Sequence, residues 1–139
     1  VLVRNQRKEI SGIITAYDVA KSFHELAQPY LLVGEIERLL RNLIANHFNQ
    51  EDIRSVKKDD DREINDVADL TFGQYRRLLE NPKNWQQLSI NVERTIFIER
   101  LEQVRIARNE VMHFEPEGLQ PDQKRHLWEF ANFLHGICR

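Results

Sequence analysis

The sequence predicts a mainly α-helical fold, and three observations carry that reading. Strand-like runs are confined to the first fifteen residues. From residue 24 onward, apolar residues recur at the three- and four-residue steps of a helix face. One segment, Asn91 to Phe114, contains neither Gly nor Pro.

The elements follow in order. Val1 to Asn5 and Ile10 to Thr15 are β-rich and flank a polar turn at Gln6 to Glu9, a hairpin pattern. Asp18 is a good N-cap and opens a short helix through Phe23. A long helix starts after Pro29 and runs to about Phe48, with Leu32, Ile36, Leu39, Leu40, Leu43 and His47 on one face and Glu37, Arg38 and Arg41 beside it. Residues 49–69 are charged and poorly periodic, which predicts a mobile, solvated connection holding at most a helical turn. Its adjacent Asp59, Asp60 and Asp61 do not converge on one point from regular backbone, so a solvated loop is favoured over a metal site.

Thr71 caps a second helix, Phe72 to about Glu80, which Asn81-Pro82 ends. The third helix spans Asn91 to Phe114, stopped by Glu115-Pro116 because the residue before a proline is pushed out of the helical region. A fourth begins at Gln120-Pro121-Asp122 and turns Leu127, Phe130, Ala131, Leu134 and Cys138 inward. Trp128 and Phe133 fall off that stripe. They predict either a second buried surface, most simply a symmetric dimer, or a cover over the connection after the long helix.

Composition bounds the function. With 139 residues, 41% apolar and 30% charged, the chain supports one main core. A net charge of -2 supplies no global basic field, so any polyanion must meet a local patch. Cys138 is the only cysteine, which excludes an intrachain disulfide and fits a reducing cytoplasm. No signal sequence and no membrane-length apolar run is present, and the start at Val1 reads as a fragment or processed form. There is no phosphate-binding glycine loop, no Cys/His metal spacing, and no nucleophilic Ser or Cys with a partner. His24, His47, His126 and His135 are scattered and read as surface or packing histidines.

What remains is Arg108-Asn109-Glu110-Val111-Met112-His113 at the end of the third helix. Phe97, Leu101, Val104 and Val111 form that helix's core stripe, and Arg108 falls on it, four residues from Val104 and three from Val111. A cation starting from the core side needs a carboxylate, a phosphate or a route to solvent. His113 lies in the last turn, where free carbonyls carry partial negative charge and favour a cationic side chain. Asn109, one turn earlier on the same face, is placed to bond or orient the ring. Arg108 and His113 differ by about 140° around the axis, so they meet on one ligand only across a groove or with a second subunit contributing. The bland alternative is that both complement the helix dipole and Arg108 bridges two helices.

Two resemblances add to this. Ile10-Ser11-Gly12-Ile13-Ile14-Thr15-Ala16-Tyr17-Asp18 resembles the closing part of a CBS motif, which implies that residues 1–23 are the C-terminal fragment of such a module. The family's matching Thr and Asp contact the ribose of an adenosine nucleotide, so Thr15 and Asp18 would serve an adenine-nucleotide sensor in a longer parent chain. Residues 24–139, with Glu37-Arg38-Leu39-Leu40-Arg41 in the first long helix and Arg108 to Phe114 ending the third, resemble the HEPN superfamily. That likeness implies an up-and-down four-helix bundle, often a homodimer in which two motifs share a cleft, and in many members a metal-independent RNA endonuclease needing no cofactor.

Carried over, His113 would act as acid or base at the ribose 2′-hydroxyl or leaving oxygen, Arg108 would hold the scissile phosphate, and Asn109 would orient either one. Glu37 would fix Arg108 or Arg41, with Glu35 as the alternative, and Arg94 and Arg105 would extend a basic track. The resemblance places such a ribonuclease in stress, toxin or phage-defence settings. It equally admits a non-catalytic dimerisation or nucleotide-binding module.

Overall fold

A computed structural model describes residues 2–4, 10–13, 15–113 and 118–138, and these are mainly helical. Strands β1 (Leu2–Arg4) and β2 (Ile10–Ile13) pair antiparallel, with Leu2 opposite Ile13 and Val3 opposite Gly12. The turn expected at Gln6 to Glu9 and the helix stop expected at Glu115-Pro116 lie outside the described residues.

Helix α1 (Ala16–His47) departs from the sequence expectation. Asp18 is not its cap. Thr15 is, its hydroxyl accepting the Asp18 amide while the Asp18 carboxylate takes the Thr15 amide and hydroxyl, a closed capping box. Those bonds from Thr15 hold the Asp18 carboxyl below its ordinary range. The helix then continues through the expected break between Phe23 and Pro29, because nothing from His24 to Gln28 opposes helix formation. Pro29 sits buried inside it and leaves the Glu25 carbonyl without its intrahelical donor.

The remaining helices are α2 (Gln50–Arg54), α3 (Phe72–Glu80), α4 (Pro82–Gln87), α5 (Arg94–Met112) and α6 (Pro121–Ile137). α3 is capped by Thr71, whose hydroxyl accepts the Gln74 amide, as its sequence predicts. α4 was not expected: Asn81-Pro82 ends one helix and at once starts another, with Asn81 as N-cap and Pro82 in the first turn.

One core joins these elements. Ile36, Leu40 and Ile44 of α1, Tyr75 and Leu78 of α3, Phe97, Leu101 and Val104 of α5, and Leu127 and Leu134 of α6 are almost wholly excluded from solvent. Each aliphatic side chain so buried contributes about 1.5–3 kcal/mol. α5 is central, lying against α1, α3 and α6.

Contacts fix the helix directions. Glu37 meets Arg108 and Tyr30 meets Val111, so α5 runs opposite to α1. Arg76 meets Glu102 and Arg94 meets Glu80, so α3 runs opposite to α5 and therefore along α1. His135 meets Glu35 and Cys138 meets the Leu39 carbonyl, giving α6 the same sense as α1. The expected up-and-down order thus fails between α1 and α3, because the chain between them travels back along α1 before α3 begins.

That return also departs from the sequence expectation. Residues 49–69 are not a solvated loop: Ile53, Val56 and Ile64 are buried, as is Leu70 just beyond. Asn49 and Asp52 form a capping box on α2, and a 3-10 turn at Val67–Asp69 is capped by Asp66. Asp61, one of the three adjacent aspartates, pins the segment to α3. Its carboxylate accepts from Arg77 at 2.7 Å, the Lys58 amide at 2.9 Å and the Gln74 amide group at 3.2 Å. The Arg77 bond, then the Lys58 and Gln74 bonds, hold its carboxyl at about 2, below the ordinary 3.8.

The two off-stripe aromatics part company. Phe133 packs on Phe97 and Phe130, with centroids 6.0 Å and 6.4 Å away, and belongs to the core's edge. Trp128 is 57% exposed and overhangs a groove lined by Gln28, Pro29, Leu32, Lys124 and Arg125. Arg125 is bound by Asp122 and Glu129 on its own helix.

Candidate functional site

The site is built where the last turns of α5 pass the middle of α1. Arg108 extends from the α5 core stripe, and its Nε donates to Glu37 Oε1 at 2.9 Å across the helix pair. Its guanidinium carbon lies 5.5 Å from the centre of the Phe72 ring, within cation-π range. The Arg108 side chain keeps 34% exposure while a carboxylate and an aromatic ring hold its guanidinium.

Glu37 is shared. Its second oxygen lies 3.7 Å from Arg41 Nη2, and Arg41 Nε donates to the Tyr75 hydroxyl at 2.9 Å. A chain therefore runs Tyr75, Arg41, Glu37, Arg108, linking α3, α1 and α5. Burial pushes the Tyr75 phenol up, and the Arg41 bond opposes that shift. Of the two carboxylates considered for Arg108, Glu35 is committed elsewhere: it binds Arg38 at 2.6 Å and His135 at 3.0 Å. The Arg38 bond holds the Glu35 carboxyl low.

The helix end carries the other residues. His113 is the C-cap of α5, with φ -87 and ψ 1, and its exposed ring makes no hydrogen bond among the described residues. Its amide donates to the Asn109 carbonyl at 3.1 Å. The Asn109 side chain makes no hydrogen bond to the ring, contrary to expectation. Glu110 turns the other way and accepts from Gln123 of α6 at 2.6 Å. Tyr30 of α1 donates to the Val111 carbonyl at 2.9 Å, fastening the same turn from the other side.

Arg105 does not join this group. It forms a double hydrogen bond with Glu102, 2.6 Å and 2.9 Å, which raises its own pKa and lowers that of Glu102. Arg94 donates to the Glu80 carbonyl at 2.6 Å. Of the two arginines expected to form a basic track, Arg105 is instead held within α5 and Arg94 ties α5 to the end of α3. Thr15 and Asp18 lie at the start of α1, occupied with each other in the capping box.

Sequence reasoning missed Phe72, Tyr75 and Tyr30. The three-residue step from Phe72 to Tyr75 marks a shared helix face, but only the parallel run of α1 and α3 brings that face to Arg41 and Arg108. Among the described residues no cluster of three or more His, Cys, Asp or Glu could hold a metal ion, and no helix is long and apolar enough to cross a membrane. Comparison with protein-family models, curated proteins and solved structures gives no match.

Proposed function

We propose that the protein is a HEPN-type domain that cleaves RNA without a metal, with Arg108 and His113 as the reacting pair and a homodimer as the working form. The observation that carries this reading is the contrast at the end of α5. Arg108 is held by Glu37 and Phe72 with about a third of its side chain exposed, while the exposed His113, five residues on, has no hydrogen bond to its ring among the described residues. A held cation and an available acid-base group are what in-line attack of a 2′-hydroxyl on its own phosphodiester requires, and with the two side chains about 140° apart on the helix a second copy would bring them to one phosphate. The imidazole removes the hydroxyl proton or protonates the departing 5′-oxygen, the guanidinium neutralises the phosphorane charge, and the products are a 2′,3′-cyclic phosphate and a 5′-hydroxyl. Asn109, half-exposed, would contact the phosphate rather than the ring.

Glu37, Arg41 and Tyr75 are positioning residues in this scheme. Arg105 has no direct part. Thr15 and Asp18 would add adenine-nucleotide sensing only within a complete CBS module, and a reducing cytoplasm suits the single thiol.

A second reading has its own support. Because Glu37 already neutralises Arg108, the pair also works as a strap between α1 and α5, as a non-catalytic dimerisation and signalling module would need. Incubation of structured and unstructured labelled RNAs with the protein in EDTA separates the two. Cleavage leaving 2′,3′-cyclic phosphate ends is the expected result; intact RNA across substrates favours the module.

A further inference from the structure

Trp128 leaves 57% of its surface in water, at the edge of the groove between α1 and α6. A broad apolar ring face so placed is stabilised by a flat partner that stacks on it. Pro29 and Leu32 give the groove apolar walls, and Gln28, Lys124 and Arg125 complete its lining. No acidic residue is among the described residues that line it. Arg125 is already bound by Asp122 and Glu129, whereas the Lys124 ammonium and the Gln28 amide group make no hydrogen bond or ion pair among the described residues. The groove holds about 270 Å³, room for one planar ring system and little more.

Both walls are fastened to the end of α5. Pro29 adjoins Tyr30, whose hydroxyl donates to the Val111 carbonyl two residues before His113. Lys124 adjoins Gln123, which donates to Glu110. The groove and the Arg108–His113 turn therefore belong to the same end of the bundle.

We infer that this groove takes one unpaired nucleotide of an RNA strand, its base stacked on the Trp128 indole, its edge at the Gln28 amide and its phosphate at Lys124. The choice of RNA rests on the ribonuclease reading, and the inference adds the substrate class: single strands, or unpaired nucleotides in folded RNA. A base inside a duplex has both faces covered by its neighbours and cannot present one to the indole. Every base has a π-face, and an amide both donates and accepts, so the groove tolerates any of the four bases. The lining also argues against a second copy as occupant. A two-fold contact through the groove would set Lys124 and Arg125 against the same basic residues of the other chain.

The test uses the whole chain and an oligonucleotide carrying 2′-O-methyl groups throughout, which has no hydroxyl to attack, as a single strand and as a duplex. Anisotropy of the labelled strand should show binding of the single strand well above that of the duplex. Trp128→Ala should weaken it by about 5- to 150-fold, the range of one base-aromatic stack, while Trp128→Phe keeps most of the affinity. Lys124→Gln should lower the slope of log affinity against log salt by about 0.7, one phosphate contact on a single strand. Both side chains are exposed, so helical circular dichroism should not change. In a Trp85→Phe background, where Trp128 is the only indole, the single strand should quench its emission.

No binding of the single strand, equal binding of the duplex, or wild-type affinity in Trp128→Ala overturns the nucleotide groove. Emission already shielded from acrylamide in the free protein would put a second copy there instead, and the same Trp128-dependent quenching by polyglutamate would put an acidic peptide there. An unchanged salt slope overturns the Lys124 contact. Cleavage is scored separately on ordinary RNA: cleavage together with binding that ignores Trp128 removes the groove and leaves the ribonuclease, whereas Trp128-dependent binding with no cleavage does the reverse.

Discussion

The two halves of α1 share one helix and one heptad seam, Val19, Phe23, Leu26, Tyr30, Val33, Glu37, Leu40 and Ile44 at alternating steps of four and three residues, yet they live in different surroundings. From Val33 to Ile44 the seam is buried against the other helices; from Val19 to Leu26 it faces solvent. Local sequence is not the cause, because both halves are apolar at the seam positions, Glu37 in the buried half excepted. The difference is where the neighbours end: α5 stops at Met112, beside Tyr30, and nothing described in the chain covers the turns before it. A pattern of apolar residues therefore reports what a helix needs, while the rest of the fold decides whether the chain itself supplies it. The candidate site sits at this changeover, its Glu37 a polar seam position already inside the bundle and its His113 just outside.

Substitutions should divide along the same line. The largest effect belongs to the buried half. Leu40→Ala opens a cavity at a site wholly excluded from solvent and should cost about 2–5 kcal/mol in urea unfolding, whereas Leu26→Ala in dilute solution should stay within about 0.5 kcal/mol. Equal losses at the two positions would erase the distinction.

Next comes the changeover itself. Arg108→Ala removes a charged hydrogen bond to Glu37 and the contact with Phe72, leaves a half-buried carboxylate with the more distant Arg41, and should cost about 1–3 kcal/mol. His113→Ala removes an exposed ring with no described partner and should leave the melting temperature essentially unchanged.

Pro29 lies between the halves. Pro29→Ala restores a donor for the Glu25 carbonyl, and although it gives up some contact at the buried ring, it should raise stability by about 1 kcal/mol and slow amide exchange near residues 26–30. Unchanged exchange there would mean that the proline does not loosen the helix.

The smallest effect concerns pH. Asp61 is held at about 2 when folded, against an ordinary 3.8, so the folded state favours its ionised form. Its contribution is present above roughly pH 4 and is lost as pH falls through about 2. Asp61→Asn should lower stability near neutral pH and flatten the acid limb over that window, so that variant and wild type converge as pH falls through about 2; an unchanged limb would show that other carboxylates govern it.

Much of this was legible in the sequence where a single helix could be read alone. The stripes of α1, α5 and α6 name most of the core, and Thr71 announces α3. Illegibility begins where two elements must meet. Ile53, Val56 and Ile64 stand singly among charges with no period, so their burial follows from the path of the chain back along α1 and not from any local pattern. Thr15 and Asp18 are both sound caps, and only the helix start shows which is N-cap and which is the third residue. Pro29 reads as a boundary because the penalty is local, whereas the packing that offsets it is tertiary. At the site, Arg108 on a core stripe called for a carboxylate, a phosphate or a route to solvent, and Glu37 was one of two carboxylates the resemblance offered; the Phe72 ring and the Tyr75 hydroxyl depend on the relative direction of α1 and α3. The Asn109 contact is absent although the helical bond from the His113 amide to the Asn109 carbonyl is kept, so the spacing set the two residues a turn apart without bringing their side chains into contact.

The most direct test of the site is a paired measurement on one variant: melting temperature and RNA cleavage in EDTA for His113→Ala beside wild type. The account predicts an unchanged melting temperature with cleavage reduced by at least about 100-fold, the scale of general acid-base catalysis. Cleavage at the wild-type rate by the folded variant would contradict it.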